Sequence, residues 1–347
     1  MQYLLAMRKV VIHSPGNYEQ LKVEEFPDLR PKTGQVVIEV KAFGINYADI
    51  VVRWGLYESA KQFVGWPITP GFEFSGIVKE SLAEKFKAGD RVFGVCLFNA
   101  YATEVCVPEH QVYPLPAGMS FDEAAGFPAV MLTAYHGLLQ NVVTRSGMLA
   151  LVHSAGGGVG SSLIQLCKVK GIQTIGVVGS SHKVDFVKSI GCDYVIDKSK
   201  EDLWARVKKL APHGPDLVFD ANGVETLKQS YDHLASTGKL IAYGAHSMFP
   251  KKGGKVNWIK LAWDYLRTPR FNMISMMSEN KSLVTFNLSF LFGKRELFEE
   301  GMRELIHWYE AGLIRAPMVT AYPIDKIGSA HSALESGQTV GKLVINP

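Results

Sequence analysis

The residues with the clearest chemical content form one stretch, Leu149-Ala150-Leu151-Val152-His153-Ser154-Ala155-Gly156-Gly157-Gly158-Val159-Gly160. A short apolar run ends in glycines, and Val159, Leu163, Ile164, Leu166 and Cys167 follow at helical spacing. That pattern is a strand, a tight turn and a helix start. Glycines let the chain turn sharply and let a pyrophosphate approach the helix dipole and its free N–H groups. In a G-x-G-x-x-G frame the positions are Ala155, Gly157 and Gly160, with alanine in the first place. Ser154, Ala155, Gly156, Gly157, Gly158, Val159 and Gly160 are therefore the candidates for holding a dinucleotide.

A second group bears on which dinucleotide. A site selective for NAD needs an acid about 20 residues on, where the second strand ends, to bind the ribose hydroxyls. Here that strand leads into Gly179-Ser180-Ser181-His182-Lys183, and no acid occurs before Asp185. Hydroxyls and a lysine favour a 2′-phosphate through charge-assisted hydrogen bonds. Gly179, Ser180 and Lys183 thus point to NADPH over NADH. Asn222 and Gly223 follow a fourth strand, and Tyr243 and Gly244 a fifth, at the carboxyl ends where ligands sit in such sheets.

The elements that must position these residues alternate. Strands are predicted over 149–154, 173–178, 193–196, 216–220 and 239–243, with helices over 158–170, 182–190, 202–210 and 224–235. Gly171, Gly191 and Gly238 stand where helices should stop. Such alternation means an α/β fold with a doubly wound, Rossmann-type parallel sheet. Residues 1–125 instead carry short alternating runs broken by Pro and Gly, which read as a β-barrel-type unit with little helix. Beyond Gly244, Lys251-Lys252-Gly253-Gly254 reads as an exposed loop. Trp258, Leu261, Ala262, Tyr265 and Leu266 make an amphipathic helix expected to cover a core or a dimer contact. A strand is predicted over 284–292, a helix over 295–311 capped by Gly312, and a closing strand over 342–345 that returns to the first unit.

Composition sets the bounds. The 347 residues suit about two domains. A net charge of +4 with scattered lysines and arginines gives no case for nucleic acid. The brief apolar run at 3–7 has no basic region before it, so a signal peptide is not expected. No apolar run is long enough for a membrane span. The four cysteines form no C-x-x-C pair, which fits a reducing cytoplasm rather than disulfides or metal, and Cys167 is expected to be buried. His153 reads as a satisfied strand histidine and His136 as a packing residue.

Several motifs together resemble a known family: Gly44-Ile45-Asn46-Tyr47-Ala48-Asp49, Arg53-Trp54-Gly55-Leu56-Tyr57, Pro70-Gly71-Phe72-Glu73, Lys87-Ala88-Gly89-Asp90-Arg91-Val92, Thr133-Ala134-Tyr135, and Gly157-Gly158-Val159-Gly160 followed by Gln165 and Lys168. Over nearly its whole length the chain resembles the zinc-independent, zeta-crystallin-like quinone oxidoreductase group of the medium-chain dehydrogenase/reductase superfamily. The segment 245–283 and Phe286-Asn287-Leu288 resemble the vesicle amine transport protein homologues within it. The resemblance implies a GroES-like catalytic domain from 1–127 and 295–347, around an NADP-binding Rossmann domain from 128–294.

It also implies roles. Where zinc-dependent relatives carry Cys, His and Cys, this chain has Asn46, Phe72 and Ala129, leaving only Glu73, too few ligands for zinc. No metal is expected. Asn46 lies beside the nicotinamide ribose and can donate to a substrate carbonyl, and Tyr57 can orient the substrate oxygen. The two are the catalytic candidates, with Val51 where some relatives have a second tyrosine. Lys183 meets the 2′-phosphate, helped by Lys198 in a place usually held by Tyr or His. Thr133 packs at the cofactor, and Asn287 holds the carboxamide or is simply a strand residue. The expected activity is metal-free hydride transfer from NADPH to a small-molecule quinone or enone by a cytoplasmic homodimer. The alternatives are a weakly catalytic NADPH-binding protein for a membrane, lipid or protein partner, and an enoyl-thioester reductase. Asp264 and the few basic residues of the 258–266 helix weigh against anionic lipid.

Overall fold

The computed structural model describes residues 7–250 and 255–347. The predicted loop at 251–254 and most of the apolar run at 3–7 lie outside the described residues.

Alternation of apolar strands with helices produces the expected six-stranded parallel sheet. Its spatial order is Tyr194–Asp197, Gln173–Val178, Leu149–Val152, Leu217–Asp220, Lys239–Ala242, Ser282–Thr285. Every neighbouring pair is parallel. In chain order this is 3-2-1-4-5-6, the doubly wound arrangement. Its strand order reverses between Leu149–Val152 and Leu217–Asp220, and a ligand crevice opens at their carboxyl ends.

The second unit is a mostly antiparallel seven-stranded sheet built around the eleven-residue strand Gln35–Ile45. That strand pairs with Glu73–Ser81 on one side, and with both Lys342–Asn346 and Glu104–Pro108 along its other edge. The closing strand does return to the first unit, as predicted. The helices Tyr47–Arg53 and Glu58–Phe63 interrupt the β pattern directly after the central strand. Asn46 and Tyr57 are their N-cap residues, so both catalytic candidates stand just beyond the point where this sheet stops. The two units share one apolar core through the helices Pro128–Tyr135 and Arg295–Glu310, where Phe93 and Phe127 meet Met131, Leu166, Phe219 and Met302.

Beyond Gly244 the predicted strand is cut short, and of the two roles expected of the 258–266 helix the core-covering one fails. The strand expected over 284–292 is only Ser282–Thr285, and Leu288–Leu291 form a 3-10 turn. Asn287 causes the change: its side-chain oxygen accepts the Ser289 N–H at 3.0 Å and draws the chain out of the sheet. The helix Trp258–Arg267 exists, but its inward face is polar. Asp264 is buried and paired with Lys260 and Arg267, whereas Trp258, Ile259, Tyr265 and Leu266 are all exposed. This helix covers no core within the chain, and Asp264 is not part of its solvent face. A further helix, Met273–Glu279, was not predicted.

One buried polar chain anchors the site-bearing helix. Arg53, at the end of Tyr47–Arg53, forms a fully buried ion pair with Glu335 of the helix Ile327–Glu335. Its guanidinium also donates to His331 Nδ1 at 3.3 Å, which assigns the ring proton to Nε2 and toward the Tyr101 hydroxyl at 3.1 Å. Tyr101 in turn bonds Asp49. Burial, with Arg53 beside it, keeps His331 far below its ordinary value and therefore neutral. Removing one partner of a buried ion pair leaves the other charge without compensation. Glu335→Gln is expected to destabilise the protein by about 3–5 kcal/mol, measured as a shift of the urea denaturation midpoint against wild type.

Candidate active site

The glycine turn sits at the sheet's switch point. Ser154 takes a left-handed backbone (φ 54°), unusual for a residue with a side chain. Its hydroxyl reaches across the crevice to Asn222 Oδ1 at 3.0 Å, joining the ends of the first and fourth strands. Ala155 is fully buried with Ile164, Val178 and Val187, which explains why the first frame position tolerates a methyl group. Gly160 does not: an added Cβ would strike the Ser154 carbonyl oxygen and approach Ala155 Cα to 2.8 Å. At Gly157 a Cβ would meet only that oxygen, at 3.3 Å, so this side of the turn is open to a ligand. Gly157 caps the twelve-residue helix Gly158–Val169, whose first-turn N–H groups lack intrahelical acceptors. Open glycine and unpaired helix start together fit a dinucleotide pyrophosphate.

The residues expected at the ribose end already have partners within the chain. The Lys183 stem lies against Gly156, where an added Cβ would meet it at 3.1 Å. Burial lowers its pKa, and Nζ donates to Gly337 O at 2.6 Å. Ser180 Oγ donates to Gln338 Oε1 at 3.2 Å, and His182 Nε2 to Gln338 O at 2.9 Å. Lys198 is exposed, with its Cε beside Gly179. Ser181 instead bonds Asp197 Oδ2 at 2.5 Å, and that bond, with one from Ser199, holds Asp197 below the usual carboxylate range.

Asn46 lies at the start of the helix Tyr47–Arg53, bound on both sides. Its Nδ2 donates to Glu73 Oε1 at 2.8 Å, and its Oδ1 accepts from Lys342 Nζ at 2.6 Å. Lys342 also pairs with Glu73 Oε1 at 2.7 Å, and Glu73 Oε2 accepts the Ala129 N–H at 2.8 Å. Asp49 accepts the N–H groups of Asn46 and Gly71 (2.8 and 2.9 Å), and burial raises it to about 7. A zinc ion does not fit this donor set. Phe72 and the Ala129 side chain offer no ligand atom, and the Lys342 ammonium already stands between Asn46 and Glu73.

The Tyr57 hydroxyl donates to Asn287 Oδ1 at 3.0 Å, and its ring meets Phe72 edge-on at 5.9 Å. The Asn287 oxygen also accepts from Ser289, so Asn287 is a turn residue whose side chain braces Tyr57. Thr133 spends its hydroxyl on Ala129 O at 2.7 Å within its own helix. The Tyr243 ring stacks near Phe286 at 6.2 Å, and burial raises its phenol. Gly244 lets two strand ends close up, since an added Cβ would come within 2.5 Å of Ala221 O. His153 is fully buried with Nε2 on Ser230 at 3.0 Å, but its Nδ1 has no partner among the described residues, so it is only half satisfied. His136 packs against Phe286 at 4.8 Å, as expected. Lys342, His246 and Tyr47 escaped the sequence reading. His246 and Tyr47 meet ring to ring at 4.1 Å, and Trp54 stacks on Phe249 at 5.4 Å, closing an aromatic wall between the two units. The available signals were that Tyr47 follows Asn46 and that His246 lies two residues past Gly244.

Comparison with known proteins agrees with this geometry. Residues 32–117 match the alcohol dehydrogenase GroES-like domain, and residues 190–345 the zinc-binding dehydrogenase model. The synaptic vesicle membrane protein VAT-1 homolog of Danio rerio is 31% identical over 97% of this chain and 69% of its own length. The crystal structure of the human VAT-1 homolog-like protein superposes with a TM-score of 0.83 at 31% identity, covering 99% of this chain and 98% of that one. Escherichia coli quinone oxidoreductase complexed with NADPH gives 0.82 at 28% identity, over 98% of this chain and all (100%) of that one. The chain belongs to the zinc-independent quinone oxidoreductase group of the medium-chain dehydrogenase/reductase superfamily, near the VAT-1 homologues.

The aromatic wall carries a pH signature. Burial lowers His246 to about 4, against about 6.5 in an unfolded chain. The unfolded chain therefore binds the proton first, and stability falls as pH drops from about 6.5 toward about 4. His246→Phe should remove this component, so the difference between variant and wild-type melting temperatures should grow in the variant's favour between pH 7 and pH 5.

Proposed function

We propose that this chain is an NADPH-dependent, metal-free reductase of quinones or α,β-unsaturated carbonyl compounds. One observation carries the reading. Consecutive residues join the two halves of the site: the Gly341 N–H donates to Gly156 O at 2.9 Å, and Lys342 donates to Asn46 Oδ1 at 2.6 Å. The amide of Asn46 is thereby held beside the turn that would take the pyrophosphate. In this reading residues 1–127 and 295–347 form the catalytic unit and 128–294 the nucleotide unit.

Bound NADPH supplies a hydride to an electron-poor carbon. The chain's own residues bind, orient and keep the cleft dry. The turn 154–160 takes the phosphates. Lys183 and Ser180 take the 2′-phosphate by exchanging their present bonds to Gly337 and Gln338, and Lys198 adds positive charge at the mouth. Asn46 keeps one amide N–H for an acceptor oxygen, and Tyr57, braced by Asn287, borders the same space. Phe72, Tyr57, Tyr47 and His246 exclude water and suit a flat conjugated acceptor.

NADPH oxidation with a panel of quinones and enals should show turnover. Lys183→Glu should weaken NADPH binding by roughly 10- to 100-fold, the equivalent of one charge-assisted hydrogen bond, with a smaller effect on NADH. Tight NADPH binding without oxidation by any acceptor would replace this reading with that of a non-catalytic binding protein.

A second observation bears on partners. Ile259, Leu266, Met273, Ile274 and Met277 are each about 70% exposed or more, on the two helices preceding the edge strand Ser282–Thr285. No described helix is long and apolar enough to cross a membrane. Exposed apolar area of this kind marks an interface. We assign it to a cytoplasmic homodimer formed along that edge strand. Sedimentation should give a dimer that Ile259→Glu/Leu266→Glu converts to monomer. A wild-type monomer that floats with liposomes would favour the membrane alternative instead.

A further inference from the structure

Lys342 is almost fully buried, and its ammonium has three oxygen neighbours: Ile45 O at 2.6 Å, Asn46 Oδ1 at 2.6 Å and Glu73 Oε1 at 2.7 Å. An ammonium has three hydrogens and no acceptor, and an ionised carboxylate only accepts. The Asn46 amide between them therefore has one favourable orientation, with oxygen on Lys342 and nitrogen on Glu73. Turned over, it would set its NH2 against the ammonium and its oxygen against the carboxylate. In a dry site both contacts are repulsive and neither is relieved by water. The favourable orientation commits one amide hydrogen and one oxygen lone pair, leaving one N–H free to donate.

We propose that Lys342 is a positioning residue for hydride transfer: it sets the Asn46 amide so that a hydrogen-bond donor, not an acceptor, is offered to the substrate oxygen. The inference rests on the reading of Asn46 as the group that meets the acceptor. It assigns Glu73 the complementary task. Glu73 accepts from Asn46, balances the ammonium and receives the Ala129 N–H at the start of the helix Pro128–Tyr135.

The experiment compares full-length wild type, Lys342→Met, Glu73→Gln and the double variant Lys342→Met/Glu73→Gln. Each single variant leaves one buried charge alone, so its melting temperature should fall. The double variant removes both charges and should recover most of that loss. NADPH affinity of the double variant, read by cofactor fluorescence, should stay within about threefold of wild type, since methionine keeps an unbranched stem where the Lys342 stem packs beside Gly158, and neither the ammonium nor the Glu73 carboxylate bonds the glycine turn. Its kcat with 9,10-phenanthrenequinone should nevertheless stay down, by up to about 100-fold, the scale of a misplaced reacting geometry, with KM changed much less. Recovery of kcat together with melting temperature would make Lys342 merely structural and overturn the proposal. If wild type shows no turnover, the functional reading fails on its own, and orientation is read from the Asn46 side-chain amide in a 15N–1H spectrum. A changed Asn46 amide pair in the double variant supports the assignment, and an unchanged pair overturns it.

Discussion

A buried ammonium at the end of the chain ties this structure together. Lys342 binds the last residue of the central strand, the Asn46 amide and the Glu73 carboxylate at once. Its neighbour Gly341 binds the glycine turn through Gly156. Two consecutive residues thus connect the closing strand, the start of the first helix and the glycine loop. A buried ion pair of this kind contributes little net stability compared with apolar packing. Its effect is specificity of arrangement, because each partner's hydrogen-bonding capacity admits one pairing.

A second buried network, running from Glu335 through Arg53, His331 and Tyr101 to Asp49, fixes the other end of the same helix. Asp49 then holds the backbone N–H of Asn46. Asn46 is consequently constrained through its backbone by one network and through its side chain by the other. Both reach it from residues some 290 positions later in the chain. The aromatic wall, Tyr47 and Trp54 from one unit against His246 and Phe249 from the other, completes the enclosure.

Much of this was legible in the sequence where the signal is local. The strand–glycine–helix unit at 149–169 and the parallel sheet were readable because period and turn chemistry act within a few residues. The closing strand was equally readable. The 284–292 segment misled because its apolar run matches a strand, while one side-chain bond from Asn287 to Ser289 redirects it. The helix Trp258–Arg267 misled in the opposite sense: amphipathicity locates two faces, but the chain turned the polar one inward, where Asp264 is paired.

By itself the sequence determined the fold class, the family and the strand–glycine turn–helix unit, since these follow from residue order, glycine placement and short motifs. It also identified Asn46, Tyr57 and Lys183 as residues of interest. Only the tertiary structure decided what they touch. Lys183 meets Gly337, Tyr57 meets Asn287, and Asn46 lies between Glu73 and Lys342. The reason is physical: the orientation of a polar side chain in a dry cleft is set by whichever donors and acceptors the fold brings within about 3 Å, and here they come from distant parts of the chain.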